Sequence, residues 1–262
     1  MNRRQISAYA LRALSLMVCV LLWHLAASAR LSMGFITFAN VPLPAAVVAA
    51  AWELLYSPKL VQHLSSSLMR VALGFGLATV WGVGLGLLIG RLPWVRNTLM
   101  TPLEVLRPIP AVAWIPLAIL MFPSSEGSMV FITFVGALFP ILLNTVHGVE
   151  GIDPRLIASA RSLGTKGWRL FTEVIAPGAA PSIVTGLSIG MGTCWFCLVT
   201  AEMISGQYGI GYYIWESYTV QNYPNIIVGM LLIGVLGMGS SVLLQRAGQK
   251  LMPWYSPSGG AR

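Results

Sequence analysis

Long apolar stretches alternate with short polar segments along the whole chain. Each apolar stretch approaches or exceeds the roughly 18–20 residues that a helix needs to cross a bilayer. The stretches cover about residues 11–29, 71–90, 105–122, 128–147, 182–203 and 226–244. The mean hydropathy is +0.76 and only 9% of residues are charged, against about a quarter in soluble domains. The pattern predicts an all-α, polytopic membrane protein with six transmembrane helices in a single domain covering residues 1–262.

The first and third stretches differ from the other four. Arg3 and Arg4, the apolar run and Ala27-Ser28-Ala29 together resemble a signal peptide with its cleavage site. That run is longer than a usual signal and five further stretches follow, so we expect an uncleaved membrane helix. Prolines interrupt the third stretch, at positions 108, 110 and 116. Neighbouring helices can satisfy the carbonyls that proline frees, so we expect a kinked span there rather than a loop.

The basic residues predict the orientation of the spans. If the N-terminus is cytoplasmic, inside segments hold Arg3, Arg4, Arg12, Arg91, Arg96, Arg107, Arg155, Arg161, Lys166, Arg169, Arg246, Lys250 and Arg262. Outside segments then hold only Arg30, Lys59 and Arg70. This bias places both termini and the polar segment 150–181 in the cytoplasm. The net charge of +8 does not predict nucleic-acid binding, because the basic residues are dispersed at span ends rather than gathered in one patch.

Two extracytoplasmic segments are expected to be ordered. Residues 41–56 predict a short helix after a proline-fixed turn. Residues 205–223 are rich in glycine, tyrosine and tryptophan. Their aromatic side chains suit either a belt at the membrane interface or a gate over a pathway, and the sequence leaves both open.

Glycines recur every four residues in two of the spans. They stand at positions 82, 86 and 90 in the second span and at 186 and 190 in the fifth. This spacing places them on one helix face, where a missing side chain lets two helix backbones approach closely. We therefore expect tight packing along both stripes.

Catalytic and metal-binding signatures are sparse in this sequence. No phosphate-binding loop or HExxH motif occurs, and His24, His63 and His147 lie far apart. The cysteines, at 19, 194 and 197, all fall inside apolar runs and predict neither a disulfide framework nor a metal site. Glu202 and His147 are candidate intramembrane acid–base groups, but polar residues at span ends are the simpler interpretation. We predict a chain with no catalytic residues, no metal and no cofactor of its own.

The spans also contain few ionisable residues. Ion-coupled carriers keep such residues at the membrane midplane, whereas these spans hold mainly hydroxyl, amide and aromatic side chains. The composition favours a conduit that takes its energy from another subunit. The candidates for a polar pathway lining are Asn144, Ser188, Thr193 and Trp195.

The segment 150–181 carries the most specific local signals. Asp153-Pro154 predicts a helix start, since aspartate accepts bonds from free amides and proline suits the first turn. Leu156, Ile157, Ala160 and Leu163 fall on one face of the helix that follows. Gly164 is placed to end it in a left-handed cap. Thr165 is expected to cap a second helix that bears Trp168 and ends before Pro177. These features predict a rigid two-helix elbow that presents an apolar and basic face to a partner.

Here the sequence resembles the membrane subunits of bacterial ABC importers. Their signature in this loop is Glu-Ala-Ala, three residues, Gly, nine residues, then Ile-x-Leu-Pro. Ala158-Ser159-Ala160, Gly164 and Val174-Ile175-Ala176-Pro177 stand at these positions, so the spacing is intact. Ala158 replaces the glutamate and Ser159 an alanine. By this resemblance the ATPase-coupling residues are Asp153, Ala158, Ser159, Ala160, Arg161, Gly164, Trp168 and Pro177.

Further segments resemble the nitrate, sulfonate, taurine and bicarbonate branch of these importers. They are residues 108–117 (PIPAVAWIPL), 160–164 (ARSLG), 201–204 (AEMI) and 209–214 (GIGYYI). The resemblance covers nearly the whole chain and implies a permease in the bacterial plasma membrane. It further implies a second permease copy, two cytoplasmic ATPase subunits that bind ATP and Mg²⁺, and an extracytoplasmic solute-binding protein. The implied solute is a small oxyanion. A stand-alone channel or carrier and a membrane scaffold protein remain the alternatives.

Overall fold

The computed structural model describes residues 3–205 and 208–255, and these form helices joined by turns. The helices are α1 (Arg3–Ser28), α2 (Pro44–Leu55), α3 (Pro58–Arg91), α4 (Pro93–Leu106), α5 (Ile115–Met121), α6 (Ser125–Glu150), α7 (Pro154–Ser162), α8 (Gly167–Leu170), α9 (Ala176–Ser205), α10 (Ile210–Thr219) and α11 (Tyr223–Leu251). A 3₁₀ turn (Ala111–Trp114) precedes α5, and a π-helical turn (Phe171–Ile175) joins α8 to α9. The prediction of an all-α membrane protein is confirmed.

Five of these helical runs are long and apolar enough to cross a bilayer. They are Ala10–Ser28, Pro58–Arg91, Ser125–Glu150, Gly167–Ser205 and Tyr223–Leu251. The pair Pro93–Leu106 and Ala111–Met121 makes a sixth if it counts as one span, although the two halves are bent by 86°. The predicted short helix at 41–56 is confirmed as α2.

The third predicted span, 105–122, is wrong as a single kinked helix. The chain leaves the α-helix at Arg107 and re-enters it only at Ile115. Pro108 and Pro110 have no N–H to donate, and each disfavours helical geometry in the residue before it. Two prolines this close therefore break the helix instead of bending it.

The second predicted span, 71–90, begins too late. Helix α3 starts at Pro58, where Ser57 caps it by accepting a bond from the Lys59 amide. The additional turns contain His63, Ser67 and Arg70, whose side chains are buried. These polar residues lower the local hydropathy, so the apolar pattern excludes the turns that contain them. The turns are nevertheless helical, because the polar groups are paired inside the protein rather than exposed to lipid.

The core of the fold consists of α3, α6 and α9, with α6 between the other two. Helices α3 and α6 run in the same direction, with Gly82 against Ile141 and Gly86 against Thr145. Helices α6 and α9 run in opposite directions, and Gly186 abuts Asn144. A Cβ added at Gly86 would lie 2.6 Å from the Thr145 Cβ. The predicted close packing along the glycine stripes is confirmed.

Candidate functional site

The elbow at residues 150–181 connects the adjacent ends of α6 and α9. The Asp153 Oδ1 accepts a hydrogen bond from the Arg155 amide at 2.8 Å and begins α7, as predicted. Gly164 has φ = +87°. Its amide donates to the Arg161 carbonyl and the Thr165 amide donates to the Ala160 carbonyl, both at 3.0 Å. This pair of bonds is a Schellman motif, so the predicted left-handed cap at Gly164 is confirmed.

The second half of the elbow differs from the prediction. Helix α8 begins at Gly167 after Lys166, and the Thr165 side chain does not cap it. The helical run does not end before Pro177, because the π turn carries it directly into α9. A π turn is wider than an α turn and accommodates a proline that would clash with the carbonyl four residues earlier. The second half of the elbow and the membrane helix that follows it are therefore one continuous rod, Gly167–Ser205.

A small apolar cluster holds the elbow against the bundle. It is centred on Val149, Ile152, Leu170, Ile175 and Ala179, with Ile157 and Ala160 packed against it. Of the predicted apolar face of α7, only Ile157 and Ala160 thus face inward. Leu156 and Leu163 are exposed, and Leu163 exposes 86% of its residue surface. The cluster fixes the inner side of α7 and leaves its outer side open.

Arg91, at the end of α3, is a second anchor that the sequence pattern did not identify. Its Nη2 donates to the Gly167 carbonyl at 3.1 Å. Its guanidinium also lies 5.2 Å from the centre of the Phe171 ring, a favourable cation–π distance. Gly167 has φ = +58°, and this turn aims the carbonyl at α3. The contact ties the start of the α8–α9 rod to the α3 terminus.

The predicted coupling residues lie together on this elbow but not all on its surface. Those exposed are Asp153, Ala158, Ser159, Arg161, Gly164 and Trp168. Ala160 packs inward and Pro177 lies half-buried within the continuous helix. The exposed surface combines apolar side chains with arginine and lysine, the kind of mixed face that fits a protein partner.

The described hydrogen bonds of the predicted pathway residues join none of them to another. Asn144 and Ser188 bond the carbonyls of Pro140 and Val184 on their own helices. Thr193 donates to the Gly136 carbonyl across the α6–α9 contact at 2.8 Å. Trp195 is buried, and its Nε1 donates to the Ser240 Oγ. In this conformation Trp195 is a core residue and lines no surface.

A buried polar network occupies the opposite end of the bundle from the elbow. Arg70 and Glu202 are its centre, 2% and 0% exposed, with the Arg70 Nη1 2.8 Å from the Glu202 Oε1. Glu202 also accepts bonds from the Ser67 hydroxyl at 2.8 Å and the Gly211 amide at 2.9 Å. The interpretation of Glu202 as an ordinary span-end residue is therefore wrong. It lies inside the protein and joins α9 to α3 and α10.

The same network fixes the turn that precedes α10. The Gly209 amide donates to the His63 Nδ1 at 3.1 Å, and the Ile210 amide donates to the Ser67 Oγ at 2.9 Å. Arg70 bonds the Tyr208 carbonyl as well. His63, Ser67 and Arg70 are spaced four and three residues apart, so they share one helix face. That spacing was the available sequence signal, but nothing local identified the partners.

The outer edge of Arg70 faces a groove of about 660 Å³ between α3 and α6. Its Nε donates to the Glu126 Oε2 at 2.8 Å, and its Nη2 bonds the other oxygen of the same carboxylate. Glu126 is 59% exposed. Apart from Ser66, the other side chains of the groove walls are apolar and include Leu77, Trp81 and Phe134.

A second pocket, of about 340 Å³, lies between α2 and α10. Its charged groups are Glu53, Lys59 and Glu216. Burial raises the pKa of the Tyr213 phenol to about 12, against a weaker opposing effect of the bond to Ser217. The phenol therefore stays neutral at physiological pH. The pocket carries two carboxylates and one ammonium group, which does not favour an anion.

Among the described residues, no group of three or more His, Cys, Asp or Glu side chains is placed to hold a metal ion. Cys194 and Cys197 are buried in the core without a disulfide. The Cys197 side chain packs against Gly136 on the facing helix, where an added Cβ would lie 2.6 Å from the Cys197 Sγ.

Comparison with known proteins identifies the family. Residues 82–255 match the family described as binding-protein-dependent transport system inner membrane component. The chain is 42% identical over 180 residues to a putative ABC transporter permease of Methanocaldococcus jannaschii, covering 68% of this chain and 67% of that protein. It is 37% identical over 239 residues to a putative aliphatic sulfonates transport permease of Escherichia coli, covering 90% and 89%. It is 32% identical over 235 residues to a nitrate import permease of Synechocystis, covering 86% and 83%.

The chain belongs to the family of binding-protein-dependent transport system inner membrane components. The resemblance to the nitrate and sulfonate branch is confirmed, and the chain is a membrane permease of the ABC transporter class.

Proposed function

We propose that this chain is the membrane subunit of an ATP-driven importer for a small oxyanion of the nitrate, bicarbonate or organosulfonate type. Two copies form the pathway, and each places its 150–181 elbow on a cytoplasmic ATPase subunit that binds ATP and Mg²⁺. A solute-binding protein delivers the solute from outside. Both termini are cytoplasmic, and the membrane is the bacterial plasma membrane. The relatives' names for nitrate and aliphatic sulfonates support this solute class.

The observation that carries the proposal is the exposed apolar surface of the elbow. Leu163, Leu156 and Trp168 are more than half exposed. Leu156 lies on the short polar helix α7 and Leu163 directly follows it, both outside the apolar spans, and Trp168 lies in the first turn of the Gly167–Ser205 run. An apolar group of this kind away from lipid indicates a protein contact. Arg155, Arg161 and Lys166 surround it and suit an acidic rim on the partner.

The rod from Gly167 to Ser205 supports a mechanism of coupling. Its first turns belong to the elbow, and Glu202 near its last turn belongs to the buried network. A displacement of the elbow is therefore transmitted along the Gly167–Ser205 rod to the buried network at its other end. ATP-driven closure of the ATPases biases the balance between two discrete packings of the bundle, which is the requirement for such a switch.

Reconstitution separates this proposal from its alternatives. An importer subunit gives ATP-dependent uptake only when its ATPase and binding protein are present in the same vesicles. A stand-alone channel or carrier would transport without them. A scaffold protein would give no flux under either condition.

Leu163→Asp is expected to weaken ATPase binding by at least about tenfold while the protein folds normally. The residue is 86% exposed, so loss of its side chain removes few internal contacts, whereas an interface apolar anchor contributes about 1–3 kcal/mol. Pull-down of the ATPase by the purified permease measures the effect. Val220→Asp, an exposed apolar position at the opposite end of the bundle, is the control and should bind normally. If both variants bind the ATPase equally well, the elbow is not the docking surface for the ATPase.

Gly164→Val is expected to lower ATP-dependent uptake by about fivefold or more, whereas Gly164→Asn retains most of it. Gly164 has φ = +87°, a conformation that costs a β-branched residue about 1–2 kcal/mol and that asparagine tolerates. No atom would lie within 4 Å of an added Cβ, so the difference comes from the backbone and not from a clash. Uptake assays on both variants, at matched expression, measure the effect. If the two variants transport equally, the left-handed turn is not needed for coupling.

A further inference from the structure

The two edges of the Arg70 guanidinium have partners of very different accessibility. Its inner edge bonds Glu202, which is fully buried, and the carbonyl of Tyr208. Its outer edge, formed by Nε and Nη2, bonds Glu126, whose side chain is 59% exposed. The inner partner is enclosed by the protein and also holds the Ser67 hydroxyl and the Gly211 amide. The outer partner can turn away into solvent by side-chain rotation alone.

Apart from its bonds to Arg70, few contacts hold the Glu126 carboxylate in place. It lies in the first turn of α6, which Ser124 caps by accepting a bond from the Gly127 amide. The described hydrogen bonds of its carboxylate all go to Arg70. Departure of this carboxylate would leave two guanidinium N–H groups without acceptors beside the groove. Unpaired donors on a buried charge are costly, so an entering acceptor with negative charge is favoured there.

The geometry of the outer guanidinium edge, once Glu126 has left it, favours an oxyanion. Two parallel N–H groups of a guanidinium match two oxygens of a carboxylate, sulfonate or phosphate in a bidentate pair. In this conformation the Glu126 carboxylate occupies the position that such an oxyanion would take. With Glu126 turned outward, Arg70 and Glu202 form a neutral pair, so the fixed charges no longer repel an anion.

The walls of the groove select the rest of the ligand. Leu73, Leu77, Trp81, Phe131 and Phe134 line it beyond the guanidinium. A volume of about 660 Å³ holds a short alkyl chain, and such a chain gains free energy on leaving water for these walls. Nitrate and bicarbonate have no apolar part and would gain nothing from them. The pocket between α2 and α10 has an excess of carboxylates and does not compete for an anion.

We infer that the α3–α6 groove is a binding site for an alkanesulfonate-type solute, with the sulfonate on Arg70 in exchange for Glu126. The site rests on the proposed import function and narrows its solute class to amphipathic oxyanions. Glu126 is a counter-ion that keeps the guanidinium paired while the groove is empty. The site lies at the opposite end of the bundle from the elbow, where an imported solute would first meet the permease.

The test measures butanesulfonate binding to the full-length chain in phosphatidylcholine nanodiscs by isothermal titration calorimetry. Neither the ATPase nor a binding protein is needed, so failure here is distinguishable from failure of ATP-dependent uptake. Glu126→Gln is expected to bind butanesulfonate about tenfold more tightly, because a competing charge-assisted pair is removed. Glu104→Gln removes an exposed carboxylate that does not line the groove and should leave the affinity unchanged. Leu77→Trp fills the groove at a half-exposed position and should weaken binding about tenfold.

Further ligands decide what the site recognises. Butyltrimethylammonium should not bind, and nitrate should bind more weakly than butanesulfonate. The inference is overturned if wild type and Glu126→Gln both fail to bind butanesulfonate, if the cation binds equally well, or if Glu126→Gln weakens binding. It is also overturned if adding phosphatidylglycerol to the discs abolishes butanesulfonate binding, since the anion on Arg70 would then be a lipid headgroup.

Discussion

Glu202→Leu is expected to lower the stability of the folded protein by about 3–5 kcal/mol, the loss typical of removing one partner from a buried charge network. The substitution leaves the Ser67 hydroxyl, one Arg70 N–H group and the Gly211 amide without their acceptor. Each unpaired buried donor costs about 1–3 kcal/mol. For a chain of this length the apparent melting temperature should fall by roughly 10 °C.

Thermal unfolding of the purified protein in detergent measures this effect. Glu202→Gln keeps an acceptor oxygen but loses the charge, so its melting temperature should lie between those of the wild type and Glu202→Leu. Glu104→Gln, an exposed carboxylate, controls for loss of negative charge and should melt like the wild type. A wild-type melting temperature for Glu202→Leu would show that the network contributes nothing to stability.

Gly86→Val is expected to prevent normal packing of α3 against α6 and to destabilise the protein by about 3 kcal/mol or more, at the upper end of overpacking effects. A Cβ at this position would lie 2.6 Å from the Thr145 Cβ and 2.9 Å from the Leu142 carbonyl oxygen. The oxygen belongs to the backbone of the facing helix and cannot move aside as a side chain would. The helices must therefore separate, and the close contact along the glycine stripe is lost.

Gly84→Val is the matched control, two residues away in the same helix. No atom lies within 4 Å of a Cβ added at Gly84, so both variants share the same change in helix propensity while only Gly86→Val meets α6. Yield of monodisperse protein and the melting temperature report the difference. Equal behaviour of the two variants would mean that α3 and α6 do not pack closely at Gly86.

Local signals in the sequence predicted the first half of the elbow correctly. An aspartate before a proline starts α7, and a glycine in left-handed geometry ends it, because each effect acts within a few residues. The second half was wrong at Pro177. Proline normally indicates a helix boundary, but the π turn at Phe171–Ile175 supplies the space that its ring needs.

The orientation of the spans, the pathway residues and the pairing with ATPase subunits remain predictions from the sequence and the family. The structure adds that the elbow carries an exposed apolar face and that Arg91 attaches it to α3. It also places Trp195 in the core, which removes that residue from the surfaces available to a solute in this conformation.

The sequence by itself determined the membrane class, the approximate spans, the glycine stripes and the capped start of the elbow. Hydropathy, glycine spacing and helix capping depend on residues that are close together in the chain, so the sequence is sufficient to predict them. Tertiary structure alone decided that Arg70 pairs with Glu126 and Glu202, which lie 56 and 132 positions away. These pairings depend on which helices meet, and hydrophobic burial does not specify a partner because it has no direction.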